Sequence, residues 1–518
     1  MKLKYLPLIS ILALASCDDY LDVKPMGKLI PTQVEEFENI LNNTNTLDFH
    51  FMDNNRGNFY AMLGDNLEIS ENQAAFNYIS SNPNIECYAA YTFYLPYQNP
   101  LTDQYTWSWG VYRAVGLLNN VVEGIEGLEG GAESEYGKQV IAQAKAARAW
   151  SYMVGGLGYG PMYDPNGENN VRTIPYRTSA SPLEPNPDLA TTAQLFDYLQ
   201  QDLDAALNAP DNVANPCRAN KAAVYALRAE MYMYKRDWDN MLESATEAWN
   251  RAVSNNGGVD NLIYDYNQFY YEEDPSASPS PGTDVEVGLE LKGPDPDFDK
   301  SYSRENLFYR VSPTGYTTTT FYPSEDFLSL FDKENDLRYK LFMLKTLGYS
   351  TTEGDVKYDD GIRVVYFRGN KTLMNEGITY PILLLMKAEA EARTNDLSSA
   401  LNDLNLLRKY RYSNTINTDL PGGESMSADE LLYEILKERR REQPINSYQR
   451  VFDIKRYVFD SGKPWSQTEI VHKIGEKTYS APIDNEHYTL PLSNVVIEYN
   501  PQWGLEPNDI YYDPTSNK

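Results

Sequence analysis

Two stretches of this chain share one plan. Asn220 to Asn250 sets Ala222, Ala226, Ala229 and Met233 on one helical stripe and turns at Lys235-Arg236-Asp237. It then runs from Trp238 to Trp249 with alanines at 245 and 248. Pro381 to Arg411 follows the same order. An alanine-rich helix (MKAEAEAR) leads to a turn at Thr394-Asn395-Asp396, then to Leu397, Leu401, Leu404 and Leu407 at helical spacing. Small residues let two helices approach closely, and such a pair buries its apolar face only by stacking on neighbours. A chain built on this unit is constrained to a mostly α body.

The first of these blocks resembles a tetratricopeptide repeat, with small residues in its first helix and an aromatic, Trp238, just after the turn. The region Trp107 to Gly155 supplies further helix candidates. Trp107–Gly127 carries Val111, Val115, Leu118, Val122 and Ile125 three and four apart, and Glu133–Gly155 is rich in alanine. The glycines at 155, 156, 158 and 160 read as its stop. Thr192–Leu207 holds Leu195, Leu199, Leu203 and Leu207, and Ser427 opens another helix, to about Arg441, with the capping pattern SADE. A short helix from Gln33 to Leu41 is expected behind a Thr32/Glu35 capping box. From Asn42 to Asp103 the text is Asn-rich, aromatic and proline-broken, so it reads as connecting loops with short helical turns. Loops of that length are usually functional. Asp274–Thr283 is low-complexity loop. Val285–Gly293 and Gly361–Gly369 alternate enough to be strands. The expected fold class is mostly α, a tetratricopeptide-like helical-repeat scaffold of about four helix pairs, with long irregular loops and a few short β-strands.

The first residues read as an address. Lys2 and Lys4 precede an apolar run from Tyr5 to Ala15. It is shorter than the ~20 residues of a permanent span, and it has the layout of a secretory signal. Leu14-Ala15-Ser16-Cys17 resembles the bacterial lipobox, which implies removal of residues 1–16 and diacylglycerol on Cys17. Each buried acyl methylene contributes ~0.8 kcal/mol, so two chains anchor stably. A plain secretory signal with an incidental cysteine is the alternative. Asp18 and Asp19 resemble a surface-export signal of some diderm bacteria, or are a solvated linker.

The net charge of −29 over 518 residues argues against nucleic acid, whose phosphates demand Lys and Arg, and against a basic patch for anionic lipid. There are 42 Tyr against 17 Phe and 7 Trp. Tyrosine has an apolar face and a polar tip, so its heavy use suits either a recognition surface or half-buried helix positions. Whether Cys87 and Cys217 pair is open. His50, His472 and His487 stand at no metal-ligand spacing, and HExxH, CxxC, GxSxG and Walker A patterns do not occur. The glycines at 155–160 follow a helix, so they cradle no phosphate. Asp295, Asp297 and Asp299 begin like a calcium loop, but Lys300 replaces its glycine and Asn306 its twelfth-position glutamate. A structural Ca2+ has only this partial pattern behind it, and no other cofactor or metal is expected. KERRRE (Lys437–Glu442) reads as arginines paired with acidic neighbours three and four residues away.

Several segments together resemble the SusD/RagB family of outer-membrane nutrient-binding lipoproteins. They are the lipobox with DDYLDVKP, Leu195–Leu207, Lys221–Glu247, Ile382–Ala392, and EILKERRREQPINSYQRVFDIKRY from Glu434 to Tyr457. The last is the most specific: an Arg-rich helix (Arg439-Arg440-Arg441-Glu442), a short loop, then Phe452-Asp453-Ile454-Lys455-Arg456. LPLSNVVIEYNPQW matches the family's closing pattern. Pro444-Ile445-Asn446-Ser447-Tyr448 stands where the family usually has a Glu-Gly-His stretch, which puts local packing in question. The resemblance implies a single unit over 17–518, with an N-terminal part over 17–230 and a C-terminal part over 231–518. It implies a non-enzymatic, cell-surface lipoprotein of the outer membrane. Such a protein captures oligosaccharides as a lid over a TonB-dependent, SusC-like transporter. Some members take peptides, and an exported glycoside hydrolase is the remaining alternative.

A sugar's C–H face stacks on aromatic rings while polar side chains take its hydroxyls. The candidate glycan-binding residues are Tyr91, Tyr94, Tyr97, Tyr105 and Trp107 in one aromatic region, and Tyr270, Tyr302 and Tyr309 in another. For any one of them, anchoring a loop to the core is the competing role.

Overall fold

The structure, a computed structural model, describes residues 31–43, 46, 51–54, 57–79, 84–274, 288–294, 301–312, 320–367, 375–509, 513 and 515. Cys17 and its signal, His50, the low-complexity run 275–283 and the triplet Asp295, Asp297 and Asp299 lie outside the described residues.

The chain order of the main helices is α1 (Val34–Ile40), α2 (Ile85–Tyr91), α3 (Arg113–Glu126), α4 (Glu135–Gly158), α5 (Thr192–Ala205), α6 (Lys221–Lys235) and α7 (Trp238–Asn256). There follow the short α8 (Glu325–Ser329) and α9 (Leu337–Phe342), then α10 (Tyr380–Arg393), α11 (Leu397–Arg411), α12 (Ala428–Glu442) and α13 (Gln449–Tyr457). From α3 to α7 each helix packs on the next. Then α7 packs on α10, and α10 on both α11 and α12. This is the stacked-pair scaffold expected from the two repeated blocks.

The two repeat turns share a geometry. Arg236 and Asn395 take positive φ, of 61° and 67°. Asp237 and Asp396 then cap the next helix by accepting from the backbone N–H groups of Asn240 and Ser399. Thr191 with Gln194 and Ser427 with Glu430 form capping boxes at α5 and α12. The N-terminus of α1 differs from expectation by one residue. Glu36, not Glu35, reaches back, and its carboxylate accepts from the backbone N–H and hydroxyl of Thr32.

The glycine run ends the helix later than expected, at Gly158 with Gly160 just beyond, and its first glycines do not stop it. The helix α4 continues through Gly155, Gly156 and Gly158, because other elements press on it there. A Cβ at Gly156 would lie 2.2 Å from Leu195 Cδ2, and one at Gly158 2.3 Å from Met52 Cε. Here glycine serves close approach.

Strands decorate the helical body as seven two-stranded antiparallel sheets among the described residues. Both expected strands are present. Gly288–Lys292 pairs with Tyr270–Asp274, and Ile362–Tyr366 with Met343–Leu347. Residues 285–287 of the first lie outside the described residues.

Apart from α2 and a few short turns, the described residues 57–79 and 84–103 are irregular, as expected, yet many of them lie in the core. Phe59, Tyr60, Met62, Leu63, Tyr78 and Tyr88 are buried. Tyrosine makes this possible, because its hydroxyl satisfies a carbonyl that a loop would otherwise bury unpaired. Tyr60 donates to the carbonyl of Tyr488 at 2.7 Å, Tyr112 to Pro175 at 2.8 Å, Tyr152 to Arg177 at 2.7 Å and Tyr271 to Leu341 at 2.8 Å. Cys87 and Cys217 are both buried and remain thiols rather than one disulfide.

The arginines of α12 pair with acids, but most partners come from elsewhere in the chain. Arg439 and Arg456 each give Nε to Asp453, at 2.9 and 2.7 Å. Arg456 holds Glu389 with two bonds of 2.6 and 2.8 Å. Arg393 bridges Glu389 to Asp460 at 2.9 Å on each side, and Arg236 closes the chain on Asp460. A second cluster sets Arg338 against Asp336, Glu438 and Glu442, and Arg411 against Glu442 and Glu305.

The corner 444–448, where the sequence departs from the family, is rebuilt around Glu376. Ser447 donates to Glu376 Oε2 at 2.6 Å, and Tyr448 and Gln449 both donate to its carbonyl at 3.1 Å. Ile445 and Tyr448 fill the space between.

Two predictions follow from these charges. Glu389→Gln leaves Arg456 and Arg393 buried against a neutral amide, so urea denaturation should show a loss of about 3–5 kcal/mol. Glu135→Gln at the exposed Lys138 pair should change stability by under about 1 kcal/mol. Equal effects would mean the buried pairs carry no special weight. The second concerns pH. Burial pushes the Glu376 carboxyl up to about 7, against the pull of Ser447. The folded chain keeps this proton where the unfolded chain has lost it, so stability falls as pH rises from about 4.5 to 7 and is level above. Glu376→Gln removes that slope. Relative to wild type it should gain up to about 3 kcal/mol between pH 5 and pH 8.

Candidate functional site

A groove of about 730 Å³ runs between three segments: the turn before α3, the loop 177–186 and the turn 499–502. A π-helical turn, Thr106–Tyr112, leads into α3. It sends Trp107 and Trp109 to opposite sides. Trp107 is buried against Tyr112 (ring centres 4.6 Å), Tyr159 (5.3 Å) and Trp503 (6.5 Å). Trp109 is 45% exposed and stacks with exposed Tyr105 at 6.2 Å and 25°. Arg113 lies over Trp109, 4.8 Å from the ring centre, and reaches the groove wall.

The second wall is shaped by one side chain. Arg177 donates to the carbonyls of Ser179 at 3.1 Å and Glu184 at 2.9 Å, to that of Ser181, and to Asn186 Oδ1 at 3.0 Å. Tyr152 and Asn119 tie the same loop to α4 and α3. The third wall docks on it. Asn186 donates to Asn500 Oδ1 at 2.9 Å, Gln502 to the Asn186 carbonyl at 3.2 Å, and Trp503 Nε1 to the Pro187 carbonyl at 2.9 Å. Tyr499, 83% exposed, stands at the lip. Arginine, amide and hydroxyl groups thus line a cleft flanked by exposed aromatic faces. Such a surface suits a neutral polyhydroxylated ligand.

The sequence-predicted aromatics are scattered. Tyr91 is buried, stacked on His472 at 4.3 Å, with its hydroxyl donating to the Lys473 carbonyl at 3.1 Å. Tyr94 is half-buried against the core, and Tyr97 and Tyr309 are buried. Trp107 lines the groove from its core-side position, whereas Tyr105 does not line it and is exposed, stacked on Trp109. Tyr270 and Tyr302 are exposed, at 54% and 64%, but neither lines this groove. Trp109, Arg113 and Tyr499 were not selected from the sequence. The signal for Trp109 was available: two tryptophans two residues apart on a helix cannot both face the core.

His472 sits in the core, with Nδ1 2.8 Å from the Tyr91 carbonyl and Nε2 2.7 Å from that of Gly64. Lys455 forms the floor of another cleft, of about 390 Å³. Its ammonium donates to the carbonyls of Leu157 and Gly160, at 2.5 and 3.1 Å, at the C-terminal end of α4. Burial pushes it down to about 7. No group of three or more His, Cys, Asp or Glu side chains suited to a metal ion occurs among the described residues. No described helix is long and apolar enough to cross a membrane.

Comparison with known proteins gives a consistent result. The sequence model of a family described as "Starch-binding associating with outer membrane" matches residues 19–233, and that of the "SusD family" matches residues 369–504. No curated protein matches. Among solved structures, a SusD superfamily protein from Bacteroides thetaiotaomicron superposes with a TM-score of 0.63 at 17% identity, covering 90% of this chain and 98% of that one. A SusD superfamily protein from Bacteroides vulgatus gives 0.61 at 18%, covering 93% and 100%. A SusD-like carbohydrate binding protein from Bacteroides vulgatus gives 0.58 at 16%, also covering 93% and 100%.

Proposed function

The chain belongs to the SusD/RagB family, and from that premise we propose that it captures oligosaccharides at the outer-membrane surface and passes them to a TonB-dependent, SusC-like transporter. The observation that carries the ligand class is the exposed Tyr105–Trp109 pair, connected to the polar groove through Arg113, which lies over Trp109 and lines the groove. A sugar ring lies on Trp109 and Tyr105. Arg113, the amides of Asn500 and Gln502 and the loop around Ser179 take its hydroxyls. The role is binding without turnover: no step of bond cleavage is assigned to any residue. The description of one matching family as starch-binding and the carbohydrate-binding structural neighbour support this reading. The tether is acyl lipid on Cys17, after loss of residues 1–16, which leaves the helical body free to sit over a channel.

Calorimetry against a broad oligosaccharide panel tests the ligand class. At least one neutral glycan should bind, and Trp109→Ala should weaken it about tenfold while leaving thermal unfolding unchanged. A panel without binders, combined with tight binding of peptides, would transfer the scaffold to peptide capture. Release of reducing ends would instead make it a hydrolase. For the tether, Cys17→Ala should move the protein from the membrane to the soluble fraction of cells. A variant that stays with the membrane would defeat the lipoprotein reading.

A further inference from the structure

A separate cleft, of about 340 Å³, opens between α8 and α12. In a chain of net charge −29, four cations line it: Lys437, Arg440, Arg441 and Arg450. Their counter-charges are unevenly placed. Asp65 holds Arg450 with two bonds, at 2.8 and 2.7 Å, and touches Arg440 at 3.2 Å, with its side chain largely buried. Glu438, fully buried, holds Arg441 at 2.5 Å. Among the three arginines, the outer nitrogen of Arg440 is the one held by a rim acid: Nη1 lies 2.7 Å from Asp326 Oδ2, and that side chain is 64% exposed. Glu434 and Lys437 pair at 2.8 Å, also on the rim.

An ion pair with an exposed partner contributes little, because water competes for the carboxylate. The guanidinium beneath it is nearly closed off from solvent, where an anion that also fills the cleft gains more. The cleft offers that filling. Tyr433 and Trp465 form an aromatic corner, ring centres 5.8 Å apart and tilted 38°, and the Lys437 ammonium sits 4.2 Å above the Tyr433 ring. A ring with one apolar C–H face that also bears a carboxylate matches both elements.

We propose that this cleft is a second subsite for an acidic sugar, a uronic acid residue, whose carboxylate replaces that of Asp326 on Arg440 while Lys437 closes from the rim. The carboxylate part rests on the cleft alone. The choice of a sugar as its bearer rests on the glycan reading above. Asp326 acts as a place-holder that keeps the buried guanidinium neutralised while the cleft is empty.

The test is titration of glucuronate and short glucuronate oligomers, with glucose and neutral oligomers as controls, at low ionic strength. Asp326→Asn removes the competing charge and should tighten glucuronate binding about tenfold, whereas Lys437→Gln should weaken it several-fold. Both side chains sit on the rim, and unchanged melting curves check that the variants fold. Trp109→Ala should leave glucuronate binding intact, just as Asp326→Asn should leave neutral glycans bound at the groove. Loss of neutral binding alone would defeat the glycan reading and spare the carboxylate subsite. Glucose binding as tight as glucuronate binding, or no gain with Asp326→Asn, would overturn the subsite.

Discussion

Asp453 is the group on which the C-terminal half of the scaffold depends. Burial alone would raise its carboxyl, but a guanidinium on each oxygen, from Arg439 and Arg456, outweighs that and holds it at about 2. From there the charges run without a break through Glu389 and Arg393 to Asp460 and Arg236. That path ties α12, α13, α10 and the turn between α6 and α7. Apolar stripes of alanine and leucine do not distinguish one neighbour from another, because any two such faces pack acceptably. A buried charge tolerates only the arrangement that supplies its partner. The hydrophobic stacking gives the helices their cohesion, and the charge chain gives them their order. Asp460 extends this to the loop beyond α13 by accepting from Trp465 Nε1 at 2.8 Å.

The tyrosines do for the loops what the arginines do for the helices. A loop crossing the core carries carbonyls that need donors, and a phenol brings a donor on the end of an apolar ring. Tyr152 shows the consequence for the groove. Its hydroxyl holds Arg177 through both the backbone carbonyl and the backbone N–H, each at 2.7 Å. Arg177 in turn folds the loop 177–186 over its own guanidinium. The groove wall is therefore tied to α4 through two side chains, Tyr152 and Arg177.

The helical body was legible because its signals are local. The Asn220–Asn250 and Pro381–Arg411 blocks state their helices, turn and caps within thirty or so residues, and the structure repeats even the left-handed turn residue in both. Long-range signals were not legible. The glycines of α4 read as a stop because nothing in the adjacent sequence shows Leu195 and Met52 pressing on them. KERRRE gave its own i,i+3 pair, Arg441 with Glu438, but not Asp65 or Asp453. The candidate site suffered most. Choosing ligand aromatics from loop text treats every tyrosine alike, whereas burial separates Tyr91 and Tyr97 from Tyr105. It also brings Tyr499 to a groove opened by residues far upstream. Burial is a property of the assembled fold, so no window of sequence contains it.

The two ligand surfaces face the same electrostatic problem with opposite means. A net charge of −29 repels anions at long range, but salt confines that repulsion to about 8 Å under physiological conditions. In the proposed reading, the groove reached through Arg113 avoids the problem, because a neutral glycan is drawn to its rings, amides and arginines by contact alone. The cleft over Arg440 would answer it locally, gathering four cations of which Arg441 and Arg450 have their acids, Glu438 and Asp65, turned inward. An acidic glycan gains nothing there from distance and everything from contact. If both proposed surfaces bind, discrimination between neutral and acidic units is made after encounter, by contact, rather than by the field of the whole molecule.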